Sequence, residues 1–353
     1  MFPSFMLSLL LFFGHALWAQ TPYEVHTIAF YNVENLFDAI DDPTTDDDDR
    51  TPNGKDRWTE SIYQKKLTNT ARVIQQIGQS VAQSSPVLVG LCEVENRKVI
   101  EDLVRQPSLQ AYNYGIIHFE SPDERGIDVA LLYRKSFFVP EHFRKHLLYL
   151  YNNKRERDYT RDQLVVTGFL GGERIHVVVN HWPSRSGGQA RSAPYRVKAA
   201  KLNKRIIDSI QRLEPGAKIL SMGDFNDDPT DEAFKIVLQT TGDKKQALSQ
   251  GQLFNPMEQL FKNGVGSSSY RDRWHMLDQI YMTHYWLKPD NHSWRYWKAA
   301  VFQPPFLINQ KGRYKGYPFR SFTGGKFTNG YSDHFPVYAY VIRQPKPKTE
   351  TRL

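Results

Sequence analysis

The chain of 353 residues contains one cysteine, Cys92, so it cannot form an intrachain disulfide bond. Beyond its N-terminal segment it lacks any apolar run near the length of about 18 residues that suits a membrane-spanning helix, and we expect a soluble body. No internal repeat and no linker divides the sequence, which excludes solenoids and indicates one domain. The hydrophobic fraction of 40% is enough to build a large buried core.

The N-terminal segment has the pattern of a secretory signal. Residues 5–13 are apolar, and Ala19 precedes the expected cleavage site. We therefore predict a signal peptide at residues 1–19, a single domain at 20–343 and a disordered basic tail at 344–353. The prediction implies an exported protein, periplasmic or extracellular in a bacterium. Because no Lys or Arg precedes the apolar run, an uncleaved anchor stays open as an alternative.

The charge balance favours polyanionic partners. The formal net charge is +8 and the isoelectric point is about 9.3, which suits nucleic acid or phosphorylated lipid head groups. An acidic segment opposes this balance, with seven Asp among the twelve residues 38–49. We interpret this segment as a solvated, self-repelling loop, with a calcium site as the alternative.

Apolar runs and helical periodicities alternate along the chain. Thr59 is a candidate N-cap for an amphipathic helix over residues 59–77. Residues 241–269 are polar and predict a long loop with a helical piece at 257–261. The remaining predictions are a helix at 99–104, a basic helix at 195–213, and strands at 25–30, 87–91, 129–133, 164–169, 175–179, 219–222, 278–282 and 337–342. Strands and helices recur in both halves, which indicates one α/β domain with central sheets.

Seven short patches place a carboxylate, carboxamide or imidazole beside a strand-like apolar run. They are residues 31–34, 90–93, 126–128, 180–183, 223–226, 277–280 and 332–334. Strand ends are where α/β enzymes present catalytic side chains to a shared cleft. Seven patches with complementary chemistry therefore predict an enzyme.

The residue types match the needs of phosphoester hydrolysis. Glu93 follows a buried strand and suits a hard cation such as Mg²⁺, although a strand-end salt bridge is the plainer interpretation. Asp224 and Asn226 alternate along a segment that we expect to be extended, so both side chains would face one side. A carboxylate at Asp278 is the natural partner to orient His334. A zinc site that uses histidine ligands remains an alternative, without compact ligand spacing.

In this order, the patches resemble the endonuclease/exonuclease/phosphatase family, which includes DNase I. The resemblance is carried by Asn32, Glu93, His181, Asp224, Asn226, Asp278, Asp333 and His334. It implies an α/β fold, a four-layer sandwich in which two central mixed β-sheets pack face to face and are flanked by helices. The opening Tyr-Asn-Val-Glu-Asn-Leu-Phe-Asp is similar to a secreted or envelope branch in bacteria.

The resemblance also implies a role for each matched residue. A divalent metal, with Mg²⁺ favoured over Mn²⁺ or Ca²⁺, would bind at Glu93 near Asn32 and Asp333, and Glu34 would lie near a second metal. Asp224 would align or activate the water. The phosphate would be held by Asn32, His181 and Asn226. His334, oriented by Asp278, would act on the phosphoryl group, and Asp128 would orient His181.

The leading hypothesis from the sequence is an exported, metal-dependent phosphodiesterase, a nuclease acting on DNA or RNA. We expect a monomer with no stable protein partner. The first alternative is a phosphatase or sphingomyelinase-like phospholipase on lipid or inositol phosphates. Aromatic residues at 285–286, 294–297 and 302–306 would then face the membrane. The second alternative is an inactive binding module of the same fold. Specificity is expected in residues 38–57, 182–196 and 286–326.

Overall fold

The computed structural model describes residues 23–345, which fold around two central β-sheets. The predicted signal at residues 1–19 lies outside the described residues, as does the predicted tail from residue 346 onward.

Within residues 23–345 the strands are, in chain order, β1 (Glu24–Leu36), β2 (Leu88–Val94), β3 (Tyr114–His118), β4 (Asp128–Arg134), β5 (Phe138–His146), β6 (Leu150–Tyr151), β7 (Arg157–Asp158), β8 (Gln163–Leu170), β9 (Glu173–His181), β10 (Ile219–Asp224), β11 (Ser268–Tyr270), β12 (Arg273–His275), β13 (Asp278–Met282), β14 (Arg295–Val301), β15 (Phe322–Thr323), β16 (Lys326–Phe327) and β17 (Val337–Arg343). The α-helices of the same part of the chain are α1 (Glu60–Gln76), α2 (Gln79–Ala82), α3 (Arg97–Val104), α4 (Pro107–Gln110), α5 (Gln189–Leu213), α6 (Lys244–Gln250) and α7 (Met257–Lys262). Short 3-10 or π turns occur at Asp48–Arg50, Ala233–Val237, His284–Leu287 and Pro305–Leu307.

Both large sheets are mixed, as predicted. The first sheet has the order β14-β17-β1-β2-β4-β3, and the second has the order β13-β10-β9-β8-β5. In each sheet two neighbouring strands run parallel, β1 with β2 and β9 with β10, while the other pairs are antiparallel. The α/β architecture of two mixed sheets flanked by helices confirms the fold class predicted from the sequence.

Two helices show how the apolar pattern builds the outer layers. Helix α1 begins after Thr59, whose hydroxyl accepts the Ile62 amide proton at 3.4 Å, so the predicted cap is confirmed. The buried side of α1 packs on the first sheet. Helix α5 begins at Gln189, six residues before the predicted start. Pro194 is the sixth residue of this helix, where its ring nitrogen cannot donate to the Ala190 carbonyl, so one helical hydrogen bond is missing in the second turn.

The two sheets meet in an apolar core with a close approach at Gly90. A Cβ atom at this position would lie 2.5 Å from the sulfur of Met222, which belongs to the other sheet. Gly90 precedes Glu93 on β2, and Met222 precedes Asp224 on β10. The absence of a side chain at Gly90 therefore lets the ends of β2 and β10 come together.

Two loop predictions need correction. The segment predicted as a long loop at residues 241–269 contains two helices, α6 and α7, and Phe254 pairs with both Thr241 and Met282. The acidic segment is also less solvated than predicted, because Asp38 and Asp47 are buried and accept backbone N–H groups of Ile40 and Asp42. Local hydrogen bonds of this kind stabilise turns that composition alone describes as disordered.

The aromatic candidates for membrane contact belong mostly to the core. Trp286 and Trp294 are fully buried, whereas Trp297 is 44% exposed. Among residues 23–345, none of the helices has both the length and the apolar character needed to cross a membrane.

A buried polar network anchors α5 to the second sheet. The Asn203 amide donates to the Asn180 side-chain oxygen at 2.7 Å, and its oxygen accepts the Tyr281 hydroxyl at 2.5 Å. Asn180 in turn donates to the Met222 carbonyl at 3.0 Å and accepts the Trp182 indole N–H at 3.3 Å. The network fixes the strand ends of β9 and β10, which carry His181 and Asp224.

The first testable prediction concerns this network. Asn203→Ala should lower the free energy of unfolding by about 2–3 kcal/mol, because it leaves buried partners without hydrogen bonds. Urea unfolding followed by tryptophan fluorescence measures the change. Lys201→Ala, at an exposed position of the same helix, is the control and should stay within about 0.5 kcal/mol of the parent. Equal unfolding midpoints for the two variants would show that the network adds no stability.

Candidate active site

The predicted site residues meet at one edge shared by the two sheets. The parallel strands β1 and β2 carry Asn32 and Glu93 toward this edge, and β9 and β10 end there at His181 and Asp224. Asp278 begins β13 directly opposite Asp224. The geometry follows from strand direction, since parallel strands end at one edge and antiparallel neighbours begin there.

Bulges next to the site aim its acidic side chains. The pairing of β1 with β2 shifts register between Asn32 and Leu36, and that of β2 with β4 shifts between Cys92 and Val94. Glu34, Asn35 and Glu93 have φ values of 53°, 55° and 60° in these irregular stretches. Left-handed backbone at non-glycine residues is costly, and its concentration at one edge is typical of functional sites.

Asn32 joins carboxylates of the two sheets. Its side-chain amide donates to Glu93 Oε1 and to Asp224 Oδ2, both at 3.1 Å. Its oxygen accepts the Glu34 amide N–H at 2.9 Å. Asn32 is buried, whereas 15% of the Glu93 side chain is accessible. The carboxylate of Glu93 is therefore fixed by the protein and still reachable from solvent.

The Asp224–Asn226 segment turns instead of continuing as a strand. Asn226 has φ 51°, so the expectation of an extended segment with alternating side chains is wrong. The Asp224 Oδ1 atom accepts the Asn226 backbone N–H at 2.9 Å, a local bond that stabilises the turn. The Asn226 side chain donates to the Trp182 carbonyl at 3.1 Å and thereby ties the turn to the residue after His181.

The predicted pairing of Asp278 with His334 is present. Asp278 Oδ2 lies 2.6 Å from His334 Nδ1, and Asp278 is fully buried. Burial alone would lower the pKa of His334, but the charges of Asp278 and Asp224 raise it well above the ordinary value. One ligand-type atom from each of these three residues lies within 4.8 Å of the others. His334 is therefore an imidazolium that faces two carboxylates.

His181 has the opposite character. Its Nε2 atom lies 3.9 Å from Glu93 Oε1 and 3.8 Å from Asp224 Oδ2. Burial, with the charges of Arg161, Arg125 and His334, lowers its pKa well below the ordinary value, so the ring is neutral. The site thus holds one charged and one neutral histidine, which have different capacities to give or accept a proton.

The prediction that Asp128 orients His181 is wrong. Asp128 instead lies 2.9 Å from His118 Nε2 and accepts the Ser121 backbone N–H at 2.6 Å. His181 Nδ1 has no hydrogen-bond partner within residues 23–345. The reason is topological, because β3 and β4 are neighbours in the first sheet and pair Asp128 with a closer histidine.

Glu34 also differs from its predicted role near a second metal. Its carboxylate accepts the Ser321 backbone N–H and hydroxyl at 2.6 and 2.7 Å, and the Arg320 guanidinium at 3.1 Å. Arg320 also reaches Asp333 Oδ2 at 3.2 Å. Behind this contact, the buried Lys66 ammonium donates to Ser321 and to the Tyr331 carbonyl. Protein donors hydrogen-bond to both Glu34 oxygens. The structure therefore favours a role in which Glu34 connects β1 to the segment that carries Arg320 and Ser321.

The remaining carboxylates fit a hard divalent cation. Burial raises the pKa of Asp224 to about 6, and Asp278 and Glu93 add to the rise. Burial and the Glu34 charge raise the pKa of Asp333 to about 7, although solvent screens this repulsion because 37% of its side chain is accessible. Burial is the largest cause of both shifts, and a bound cation would offset the negative charge that burial removes from water. Oxygen donors suit Mg²⁺, Mn²⁺ or Ca²⁺.

The potential metal-ligand atoms are not grouped as the sequence analysis predicted. Within residues 23–345, two compact groups of potential ligands at this edge are Asp224 with Asp278 and His334, and Asp224 with His181 and Cys92. Neither includes Glu93 or Asp333. Burial raises the pKa of the Cys92 thiol well above its ordinary value, which makes it a poor metal ligand.

Two arginines at the site were not predicted from the sequence. One is Arg320, described above. The other is Arg185, which donates to the Asn226 carbonyl at 2.7 Å and to Asp228 Oδ2 at 3.1 Å. Arg185 thus holds the turn after Asp224. Both contacts join residues far apart in sequence, so no local signal marks them.

The fold and this edge define an α/β enzyme class with a DNase I-like sandwich and an acidic site between two sheets. The profile of the Endonuclease/Exonuclease/phosphatase family matches residues 27–343, and the chain belongs to this family. Members of the superfamily are phosphoester hydrolases that depend on a divalent metal. No curated protein matches the sequence.

Solved structures share the fold at low sequence identity. An endonuclease/exonuclease/phosphatase family protein from Bacteroides thetaiotaomicron is 14% identical, with 92% of this chain and 97% of that chain covered and a TM-score of 0.53. Truncated TDP2 from Caenorhabditis elegans is 17% identical, with 90% and 97% covered and a TM-score of 0.52. The human Nocturnin catalytic domain, solved with a bound sulfate anion, is 16% identical, with 91% and 96% covered and a TM-score of 0.51.

The second prediction tests the charge state of His334. Asp278→Asn should lower the pKa of the His334 imidazole, because the opposite charge that stabilises the protonated ring is removed. NMR titration of the histidine rings in metal-free protein measures the change. The parent protein, titrated under the same conditions, is the reference. An unchanged His334 titration would show that Asp278 does not stabilise the imidazolium.

Proposed function

We propose that the chain is an exported, metal-dependent phosphodiesterase that cleaves nucleic acid. The observation that carries this proposal is the cluster of Asp224, Asp278 and His334 beside the accessible Glu93 carboxylate. A phosphodiester needs an oriented water, neutralisation of its negative charge and a stabilised leaving oxygen. Membership of a family of phosphoester hydrolases supports the same reaction.

The chain's own residues divide these tasks. Asp224, with its raised pKa, is placed to orient and accept a proton from a water. The His334 imidazolium, held by Asp278, donates to the phosphoryl or leaving oxygen. Asn226 and the neutral His181 are hydrogen-bonding groups for the non-bridging oxygens.

A divalent cation, Mg²⁺ in our proposal, supplies charge neutralisation on the phosphate when it is bound. Glu93 would hold it, with Asp333 and Asn32 nearby. Arg320 donates to both Glu34 and Asp333, and its positive charge offsets the repulsion between these two carboxylates. This arrangement places the fixed negative charges where a cation is needed.

The alternative substrates are lipid or inositol phosphates. The aromatic residues that favoured them are less available than the sequence indicated, because Trp286 and Trp294 are buried. The inactive binding module requires loss of a key group, but Glu93, Asp224 and His334 are all present. We therefore retain the nuclease as the leading proposal, with export as a part of it that rests on residues 1–19.

The third prediction tests the catalytic proposal. Purified protein lacking residues 1–19 should hydrolyse bis(p-nitrophenyl) phosphate and plasmid DNA with Mg²⁺, and EDTA should abolish both reactions. His334→Ala and Glu93→Gln should each lower kcat/KM by roughly 100- to 10,000-fold, because each removes a group that stabilises the transition state. Release of p-nitrophenol and nicking of the plasmid measure the two activities.

His292→Ala is the matched control, since this histidine is exposed and lies away from the site in sequence and in the fold. It should retain activity within about twofold of the parent. Hydrolysis of sphingomyelin vesicles but not of DNA would move the proposal to the lipid branch. Full activity in His334→Ala would refute the assignment of this site.

A further inference from the structure

A groove opens from the active site on the side of Asp333. It has a volume of about 640 Å³, and Arg320 and Asp333 line its inner part. Farther out it is lined by Tyr270, which is 64% exposed, and Tyr314, which is 46% exposed. We call it the Tyr270 groove.

The Tyr270 groove combines aromatic faces with positive charge. The Arg271 guanidinium lies 5.2 Å from the Tyr270 ring centre, and that of Arg313 lies 5.8 Å from Tyr314. Between Asp290 and Asp333 the sequence contains seven Lys or Arg residues and no acidic residue. Aromatic rings with adjacent arginines suit stacked bases and their phosphates.

The groove is held in shape by one cross-link between its walls. The Tyr317 hydroxyl donates to Asp272 Oδ1 at 2.5 Å and accepts the Asp272 backbone N–H at 2.7 Å. Asp272 lies in the turn between β11 and β12, and Tyr317 lies in the segment that carries Arg313 and Tyr314. The two walls are therefore fixed relative to each other before any ligand binds.

A second tyrosine surface flanks the site on the side of His181. The hairpin of β6 and β7 pairs Tyr151 with Arg157, so Tyr149, Tyr159 and these two residues share one face. Tyr149, Tyr151 and Tyr159 are 57%, 48% and 48% exposed. The Arg157 guanidinium lies 4.2 Å from the Tyr149 ring centre and 5.5 Å from that of Tyr159. We call this surface the Tyr149 face.

Tyr159 of the Tyr149 face lines a cavity that is shared with the active-site loop. Its volume is about 400 Å³, and its lining also includes Arg161, Pro183 and Arg191, with Asp158 from the opposite face of the hairpin. Arg161 donates to the Trp182 carbonyl at 2.8 Å, directly after His181 in the chain. Between Glu173 and Asp208 the sequence has eight Lys or Arg residues and no acidic residue. Four of these eight residues, Arg174, Arg185, Arg196 and Lys204, are paired with carboxylates. Arg157 and Arg191 supply positive charge beside the tyrosines, as the arginines of the Tyr270 groove do.

From this arrangement we infer that the enzyme cuts within a single-stranded polynucleotide, with the strand bound by the Tyr270 groove on one side of the scissile phosphate and by the Tyr149 face on the other. The inference rests on the proposed phosphodiesterase function. Stacking needs unpaired bases, whose faces a duplex hides. An enzyme that removes terminal nucleotides needs a long strand-binding surface on one side only. A lipid head group would use neither of two separated aromatic surfaces rich in arginine.

Circular single-stranded DNA is the decisive substrate, because it has no ends. With Mg²⁺, the protein should convert the circle to linear and then shorter products, and a circular RNA should be tested beside it. An intact circle of both kinds, together with stepwise shortening of a linear strand, would overturn the inference and leave the phosphodiesterase proposal standing. Preference for sphingomyelin vesicles over both circles would overturn it as well.

Two double variants test the two surfaces. Tyr270→Ala with Tyr314→Ala, and Tyr149→Ala with Tyr159→Ala, should each lower kcat/KM on the circle roughly 10- to 100-fold, since each removes stacking for one or two bases. Hydrolysis of bis(p-nitrophenyl) phosphate should be unchanged, which also shows that the variants are folded. Tyr23→Ala is the matched control, because Tyr23 is 42% exposed and has Arg295 at 5.4 Å, but precedes the opposite end of β1.

A binding measurement separates the inference from catalysis. Fluorescence anisotropy of a labelled single-stranded 20-mer in EDTA should show weaker binding, again roughly 10- to 100-fold, in both double variants and not in Tyr23→Ala. If bis(p-nitrophenyl) phosphate is not hydrolysed, the proposed function fails, and the anisotropy result still decides whether the two surfaces bind the strand. Equal affinity of both double variants and the parent would overturn the inference.

Discussion

Repulsion among carboxylates at the shared sheet edge is the constraint around which the rest of the structure is arranged. Each carboxylate there accepts hydrogen bonds or faces a positive charge. Glu93 accepts the Asn32 side chain and the Asn35 backbone N–H, while Asp224 accepts Asn32 and the Asn226 backbone N–H. Asp278 is opposed by the His334 imidazolium. A charged group with fixed donors can stay buried, and what the donors do not neutralise is left for a cation.

Holding these donors in place requires irregular backbone where regular strands would be more stable. Glu34, Asn35, Glu93 and Asn226 all adopt positive φ values at the edge. Such residues cost free energy and persist when the surroundings determine their conformation. Here the surroundings are the apolar core between the sheets and the network under α5. The packed core therefore holds the backbone of the site in place. The close approach of β2 and β10 at Gly90 is one part of this core, and β10 carries Asp224.

The sequence was sufficient for features that depend on local pattern. The cap at Thr59, the strands β8 and β9 and the convergence of strand-end patches follow from periodicity and strand direction. It was insufficient where the determining contact joins distant segments. Arg320 reaches Glu34 across more than 280 residues of chain, and Asp128 selects His118 because β3 is its neighbour in the sheet. Bulges were also missed, since one extra residue leaves no clear mark in an apolar run.

The distribution of charge links the acidic edge to its basic flanks. The net charge of +8 is not spread evenly, because two long segments without acidic residues border the Tyr270 groove and the Tyr149 face. A polyanion is attracted to these flanks and repelled by the carboxylates between them. Under the proposed function, its scissile phosphate would therefore settle at the edge only when a cation offsets the charge of Glu93 and its neighbours. Strand binding and metal dependence would then be one electrostatic arrangement, in which the flanks supply affinity and the reaction requires the cation.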